Sequence, residues 1–341
     1  MTNESFKVAV LWRAGRNVAW QSQFLGQEFP DDAIEEATLH RDGLREAGYA
    51  AELVQWKGDD LPGMIAELRQ YDMVFNASSL AEVALLEISE IPFTGSGLNL
   101  VALDKATRKK LWAYHGVPTS PFLVVDHDSR VGGHVIGLSE VKTADWQPPE
   151  GLDYPLFVKP VSGRGSTGIT DDSIVEDREG LARHAENIIE RIGQGALVER
   201  FLQGREVTVG IIGHPPMVLT PLEIEYNEAR TNTFLHKQDN EIMHCPARLD
   251  TAGLVRVKEV ALRAFHAIGA RDYARIDTIV DDDGNPMVLE LNTFAGLQIL
   301  TGQEQHLHAS YIGSMAKTMG LDRAFVLGQI VESARRRLEQ A

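Results

Sequence analysis

A single cysteine, Cys245, in 341 residues leaves no partner for an internal disulfide and excludes a cysteine-rich metal centre. In its setting HCPA it reads as a small buried residue rather than a nucleophile. Basic charge is also short. Lys and Arg number 33 against 49 Asp and Glu, a net charge of −16, so the general surface repels polyanions and nucleic acid is not an expected partner. An anionic small ligand would need locally concentrated basic groups and backbone N–H donors. No apolar run approaches the eighteen residues of a membrane-spanning helix, and MTNESFKVAVLW has no basic leader with an apolar stretch, so the expectation is a cytoplasmic chain. A Gly-rich phosphate turn is missing after the first strand, where LWRAGRNVAW stands, and there is no Gly-Lys-Ser/Thr P-loop. Internal repeats and a convincing Ser-His-Asp or Cys-His set are lacking too.

What is present reads as α/β. At 43% hydrophobic the chain can bury a large core divided among two or three domains. FKVAVLW (6–12) has a strand pattern, and 31–47 reads as a helix with Ala33, Ala37, Leu44 and Ala47 on one side and Gly48 as its terminator. AELVQW, a helix around PGMIAELRQ, MVFNAS and a helical EVALLEI follow, as in a small parallel sheet. IPFTGSG leads into one helix over about 98–115, stopped by Gly116 and Pro118. DHDSRVGGHVIGLSEVKTADWQPPEG reads as a low-order surface excursion. Beyond it come YPLFVKP, a glycine-rich loop, a helix near 177–192 and the strands ALVERF and VTVGIIG. Leu254, Val257, Ala261, Ala264, Phe265 and Ile268 mark another helix; Leu327, Val331, Ala334 and Leu338 mark a C-terminal one, whose RRR suits its dipole.

YARIDTIVDDDGNPMVLELN (273–292) is a hairpin around Asp283-Gly284. A turn centred between these two residues makes paired positions sum to 567. Asp277 then opposes Glu290 and Arg275 opposes Asn292, all on one face, with Ala274, Ile276, Val280, Met287, Leu289 and Leu291 on the other. Opposed carboxylates repel, and a hard divalent cation would reverse the sign. A solvated polar face with Arg275 neutralising a neighbour fits the hairpin equally well. A calcium loop is rejected, because Ile279 occupies the first ligand position and strands flank the turn.

GRGSTG (163–168) matches G-x-G-x-x-G, but ITDDSIVED continues as turn and strand, not as the helix a dinucleotide fold needs. A strand–glycine loop–strand unit with Lys159 at its entrance can form a flap whose N–H groups fold over phosphates; an ordinary flexible hairpin is the other reading. Lys105 and Lys159 can act as point charges on phosphate. Glu199-Arg200-Phe201-Leu202, followed by Glu206, can offer backbone donors and acceptors to a purine edge and a carboxylate to ribose hydroxyls, or can be a plain strand edge.

The order PFTGSG…ALDK, FVKP…GRGSTGI, LVERFLQGREVTV, CPARL, YARID and LELNTFAGL resembles the ATP-grasp superfamily, most closely its D-alanine–D-alanine ligase branch, over residues 93–301. The resemblance implies an N-terminal parallel α/β domain (1–95) and two α+β ATP-grasp subdomains that clasp ATP: a central one with the glycine flap (96–190) and a C-terminal one with the metal site (191–341). Carried over by motif, Lys105 and Lys159 bind phosphates and Ser166 sits in the flap. Glu199, Arg200, Phe201 and Leu202 hold adenine, and Glu206 holds ribose. Asp277, Glu290 and Asn292 hold two Mg2+ ions, with Mn2+ an acceptable substitute. Lys237 is a further phosphate contact, with His236 and Arg230 as rivals. The implied chemistry is carboxylate phosphorylation and then amine attack on the acyl phosphate, with Arg275 and a backbone N–H near Gly296 meeting the oxyanion. Small-molecule carboxylate and amine partners and a homodimer are the family expectation.

The amino-acid half departs from the family. The Gly-Gly-x-Ser-x-Glu-x-x-Val-Ser stretch is absent, FNASSLAEVALLE replaces His-Gly…Gly-Glu-Asp-Gly, and Gly165 stands at the flap's first serine. Ala295-Gly296-Leu297-Gln298 replaces Pro-Gly-Met-Thr, and Thr301 stands where a serine would grip a carboxylate. Lost partners for substrate charges imply discrimination against that substrate. The expectation is therefore an ATP-dependent carboxylate–amine ligase for amino-acid-like substrates other than two D-alanines, with Arg13, Arg16 and Trp20 as candidates for an altered acyl pocket. The alternatives are a genuine D-alanine–D-alanine ligase and a non-catalytic nucleotide-binding protein.

Overall fold

The computed structural model describes residues 5–15, 32–76, 80–128, 135–163, 168–226, 241–302 and 308–340. The first unit alternates β1 (Lys7–Trp12), α1 (Ala33–Glu46), β2 (Ala50–Gln55), α2 (Leu61–Leu68), β3 (Met73–Asn76) and α3 (Leu80–Ile88). Its strands pair in parallel in the order β2-β1-β3. Val8 to Leu11 are all buried, as expected of a parallel strand covered on both faces. The single helix expected over 98–115 is instead two, α4 (Leu98–Val101) and α5 (Lys105–Tyr114). Asp104 is extended between them and caps α5 by accepting from Thr107 N at 2.6 Å, a stop-and-restart signal inside an otherwise helical pattern.

The second sheet has the order β5-β4-β8-β6-β7. It contains β4 (Phe122–Asp126), β5 (Val135–Gly137), β6 (Leu156–Pro160), β7 (Ile174–Val175) and β8 (Ala196–Arg200), with α6 (Leu138–Val141) and α7 (Arg178–Ile192). The expected surface excursion thus supplies β5 and α6. Leu138 and Val141 join the core under α7, since VIGLSEV can bury one side despite its Gly- and Pro-rich flanks. A boundary at 190/191 would separate β8 from β4 and β6, with which it pairs antiparallel.

The third sheet runs β12-β11-β9-β13-β14, with β10 (Met217–Val218) on β9 (Arg205–Ile212). Its other strands are β11 (Leu222–Tyr226), β12 (Glu241–His244), β13 (Tyr273–Val280) and β14 (Pro286–Asn292); α8 (Thr251–Ala267), α9 (Tyr311–Thr318) and α10 (Arg323–Glu339) complete the chain. One core joins β1 and β3 to α9 and α10 through Val8, Val10, Phe75, Ile312, Leu327 and Ile330. Gly43 lets α1 and α10 approach closely, because a Cβ there would lie 2.6 Å from Leu327 Cδ1.

The hairpin register reaches the expected site pairs by another route. Arg275 opposes Asn292 and Asp277 opposes Glu290, but beyond Asp277 the pairs are Thr278–Val288, Ile279–Met287 and Val280–Pro286. The turn centres on Asp283, with Gly284 N donating to Asp281 O and Asp281 N to Asn285 O. Leu289 is the extra residue of a bulge that restores the register. Val288, not Met287 or Leu289, therefore joins Ala274, Ile276, Val280 and Leu291 in the core.

Candidate active site

β13 and β14 present Arg275, Asp277, Glu290 and Asn292 on one face. Arg275 grips Asp277 with two parallel bonds, Nε to Oδ1 and Nη2 to Oδ2, each 2.8 Å. Thr208 Oγ1 donates to Asp277 Oδ1 at 2.6 Å and Asn292 Nδ2 to Oδ2 at 2.8 Å. Asn292 Nδ2 also reaches Glu290 Oε1 at 3.4 Å. Burial opposes the Arg275 charge, but Asp277 prevails and raises its pKa above the ordinary range. Asp277 is thus already neutralised, whereas Glu290 lies in the field of Lys105, Lys159 and Arg108. Among the described residues no group of three His, Cys, Asp or Glu converges as a metal cage. The hard-oxygen set here is two carboxylates and an amide.

Facing this hairpin is a lysine cluster. Lys105, at the start of α5, donates to Gly163 O at 3.0 Å at the root of the glycine loop. Burial above all, with Lys159 and Arg108, lowers its pKa to about 8 against the pull of Glu290. Lys159 pairs with Glu199 Oε2 at 2.6 Å; burial would lower its pKa, but Glu199 and Glu290 raise it. The Glu199 side chain is committed to its neighbours. Its Oε1 takes Lys109 at 2.6 Å and Ser120 at 3.0 Å, and these lysines outweigh burial and hold its pKa at about 2. Arg200, Phe201 and Leu202 line a cavity of about 260 Å³ with Gln203, and with Ile279 and Met287 from the hairpin. Glu206, on β9 opposite Ile279, lies within electrostatic reach of Lys159.

Gly296 is crowded: a Cβ there would lie 2.6 Å from Gln298 Oε1 and 3.1 Å from Ser310 Cβ. The hydroxyl beside Gly296 therefore belongs to Ser310, whereas Thr301 is exposed. Arg13 contacts the fully buried Glu82 at 3.5 Å. Cys245 is half-buried and burial raises its thiol pKa, which keeps the thiol protonated and unreactive. Ser166, Gly165, Lys237, His236, Arg230, Arg16 and Trp20 lie outside the described residues.

Sequence reasoning missed Lys109, Arg108, Thr208 and Tyr311. Lys109 had a readable signal, since it follows Lys105 by four positions and so shares its helix face. Arg108 donates to Leu291 O at 2.8 Å and ties α5 to the hairpin, a link no local pattern announces.

Known proteins resemble this chain in sequence and in fold. The family model "D-ala D-ala ligase C-terminus" matches residues 111–332. The D-alanine–D-alanine ligase of Nitratidesulfovibrio vulgaris is 33% identical over 254 residues, 73% of this chain and 74% of that one. The Alcanivorax borkumensis ligase of the same name is 30% identical over 311 residues, 87% of each chain. The crystal structure of D-alanine–D-alanine ligase from Bacillus anthracis complexed with ATP shares the fold with a TM-score of 0.71 at 22% identity, covering 99% of this chain and 100% of that one. The chain belongs to the D-alanine–D-alanine ligase family of the ATP-grasp fold and is an ATP-dependent, ADP-forming carbon–nitrogen ligase.

Proposed function

We propose that this ligase joins two amino acids through an acyl phosphate, with D-alanine as both substrates. The relatives' shared name supports this reading better than the expectation of other substrates, which stays as a second reading. The observation that carries the mechanism is the Arg275–Asp277–Asn292–Glu290 face set against Lys105 and Lys159. Lys105 and Lys159 hold the triphosphate, and the cavity at Phe201 and Leu202 takes the purine, with Glu206 on ribose. A substrate carboxylate oxygen attacks the γ-phosphorus and the bond to ADP breaks. The nitrogen of the second substrate, its proton given up to solvent, then attacks the acyl carbon; the tetrahedral intermediate collapses and phosphate leaves. The free N–H groups of Arg275 and a backbone N–H near Gly296 meet the oxyanion. Asp277, Glu290 and Asn292 are hard-oxygen donors that suit Mg2+ and would hold it. When bound, the ion neutralises charge that spreads over the transferring phosphoryl group.

One feature favours the second reading, a carboxylate–amine ligase with another amino-acid-like substrate. Glu36 on α1 accepts a hydrogen bond from Gln298 Nε2, which brings a carboxylate from the N-terminal unit beside Gly296 in a chain that lacks the family's N-terminal Glu motif. ADP release is the test, measured with ATP, Mg2+ and a matrix of amino acids, with and without hydroxylamine to trap acyl phosphate as hydroxamate. D-alanine alone should give ADP and dipeptide. Turnover only with another amino acid would establish the second reading, and ATP binding with no ADP release from any amine would leave a non-catalytic binder.

A further inference from the structure

Two of the five Arg275 N–H groups are spent on Asp277, which leaves Nη1 and one hydrogen of Nη2 for other work. A guanidinium held along one edge can still tip about that edge. The face is held separately. The ring of Tyr311 lies against it, with the Arg275 Cζ 4.9 Å from the ring centroid, and the Tyr311 hydroxyl donates to Glu241 Oε2 at 2.6 Å. The backbone beneath the ring is fixed too. Ser310 caps α9 by accepting from Gly313 N at 3.0 Å, and its own N–H donates to Gln298 O at 3.1 Å, next to Gly296. The phenol is kept neutral, because burial and the Glu241 carboxylate both raise its pKa, so the ring presents an uncharged face to the cation.

We propose that Tyr311 is a positioning residue that holds the plane of the Arg275 guanidinium so that its free N–H edge meets the oxyanion of the second step. The inference rests on the reading of Arg275 given above. A packing role would affect folding and both chemical steps alike. Positioning through Arg275 should act on amine attack and spare acyl-phosphate formation, because phosphate transfer relies on the lysines and the hairpin carboxylates.

The experiment uses full-length protein, ATP, Mg2+ and whichever amino acid gives most ADP with the wild type, and reads peptide and hydroxamate rates separately. For Tyr311→Leu, the peptide kcat should fall by about 30-fold, part of the ~10² to 10³ lost when an oxyanion donor is removed. Its hydroxamate rate and its KM for ATP should stay within about threefold of wild type. Tyr311→Phe, which keeps the ring, should recover the peptide rate to within about threefold. Should Tyr311→Leu not fold, Tyr311→Met carries the same readout. An unchanged peptide rate in the ring-deleted protein, or an equal loss in both rates, would overturn the inference. Arg275→Lys separates the two claims: wild-type peptide synthesis there would remove the Arg275 role and this proposal with it. Slowed peptide synthesis in Arg275→Lys beside a normal Tyr311→Leu would remove this proposal alone.

Discussion

At the scale of single residues, the basic side chains of the site differ in what they have been given to neutralise them. Lys109 and Lys159 share Glu199, which opposes the loss of charge that burial favours in both, while Lys105, among the described residues, has only backbone carbonyls within hydrogen-bonding distance and a pKa of about 8. That depressed value penalises the ammonium in the free protein at neutral pH, and the penalty is relieved as pH rises from about 8 towards the unfolded value near 10.4. A bound triphosphate would favour the ammonium. ATP binding should therefore take up a proton above pH 8, and affinity should fall by up to about tenfold per pH unit beyond it. Calorimetric titration at pH 7 and pH 9.5 should show Kd rising about tenfold or more in wild type. Lys105→Met should bind weakly at both pH values with little change between them; an equally steep pH dependence in that variant would remove Lys105 from the phosphate site.

At the scale of elements, the hairpin decides how charge repulsion enters. Asp277 and Glu290 taken alone would destabilise the strand pair, yet Arg275 already occupies Asp277, and Glu290 looks towards Lys105, Arg108 and Lys159. Glu290→Gln should thus reduce ADP release by about 10²-fold or more while shifting stability by less than ~1 kcal/mol, without the gain that relief of an isolated repulsive pair would bring. Wild-type turnover, or a large rise in melting temperature, would contradict this. The site pairs were legible in the sequence because alternation and Asp283-Gly284 are local signals. The compensation between a turn centred on Asp283 and a bulge at Leu289 was not, since either change alone would have turned the site residues to the wrong face. α9 went unread although its signals are local: Ser310 as cap, and Ile312, Met315 and Ala316 at helical spacing, lie just after a stretch with no regular pattern. The split between α4 and α5 was likewise written in Asp104, but a single polar residue inside a helical run is easily read as surface.

At the scale of the whole molecule, the N-terminal sheet is not closed by its own residues. Its core is shared with Ile312, Leu327 and Ile330, more than two hundred positions away, so a segment ending at 95 would leave apolar surface open, and no local pattern in the first hundred residues shows what covers it. A buried polar link across that seam is Asp272, which sits in the left-handed region with φ 61°. Its Oδ2 accepts from Gly95 N at 2.8 Å and from Arg337 Nη2 at 2.9 Å, and its Oδ1 accepts from Ser333 Oγ at 2.9 Å, so one carboxylate joins the first unit, the start of β13 and α10. Removing it leaves the Arg337 guanidinium without its buried carboxylate and puts a methyl side chain where positive φ is costly, which together should destabilise the fold by about 3 kcal/mol or more. Asp272→Ala should lower the midpoint of denaturation accordingly, and hydrogen exchange at the Gly95 amide should speed up with it. Loss of stability with Gly95 still protected would mean that Asp272 serves α10 alone and that the seam is held by the apolar contacts of α9 and α10.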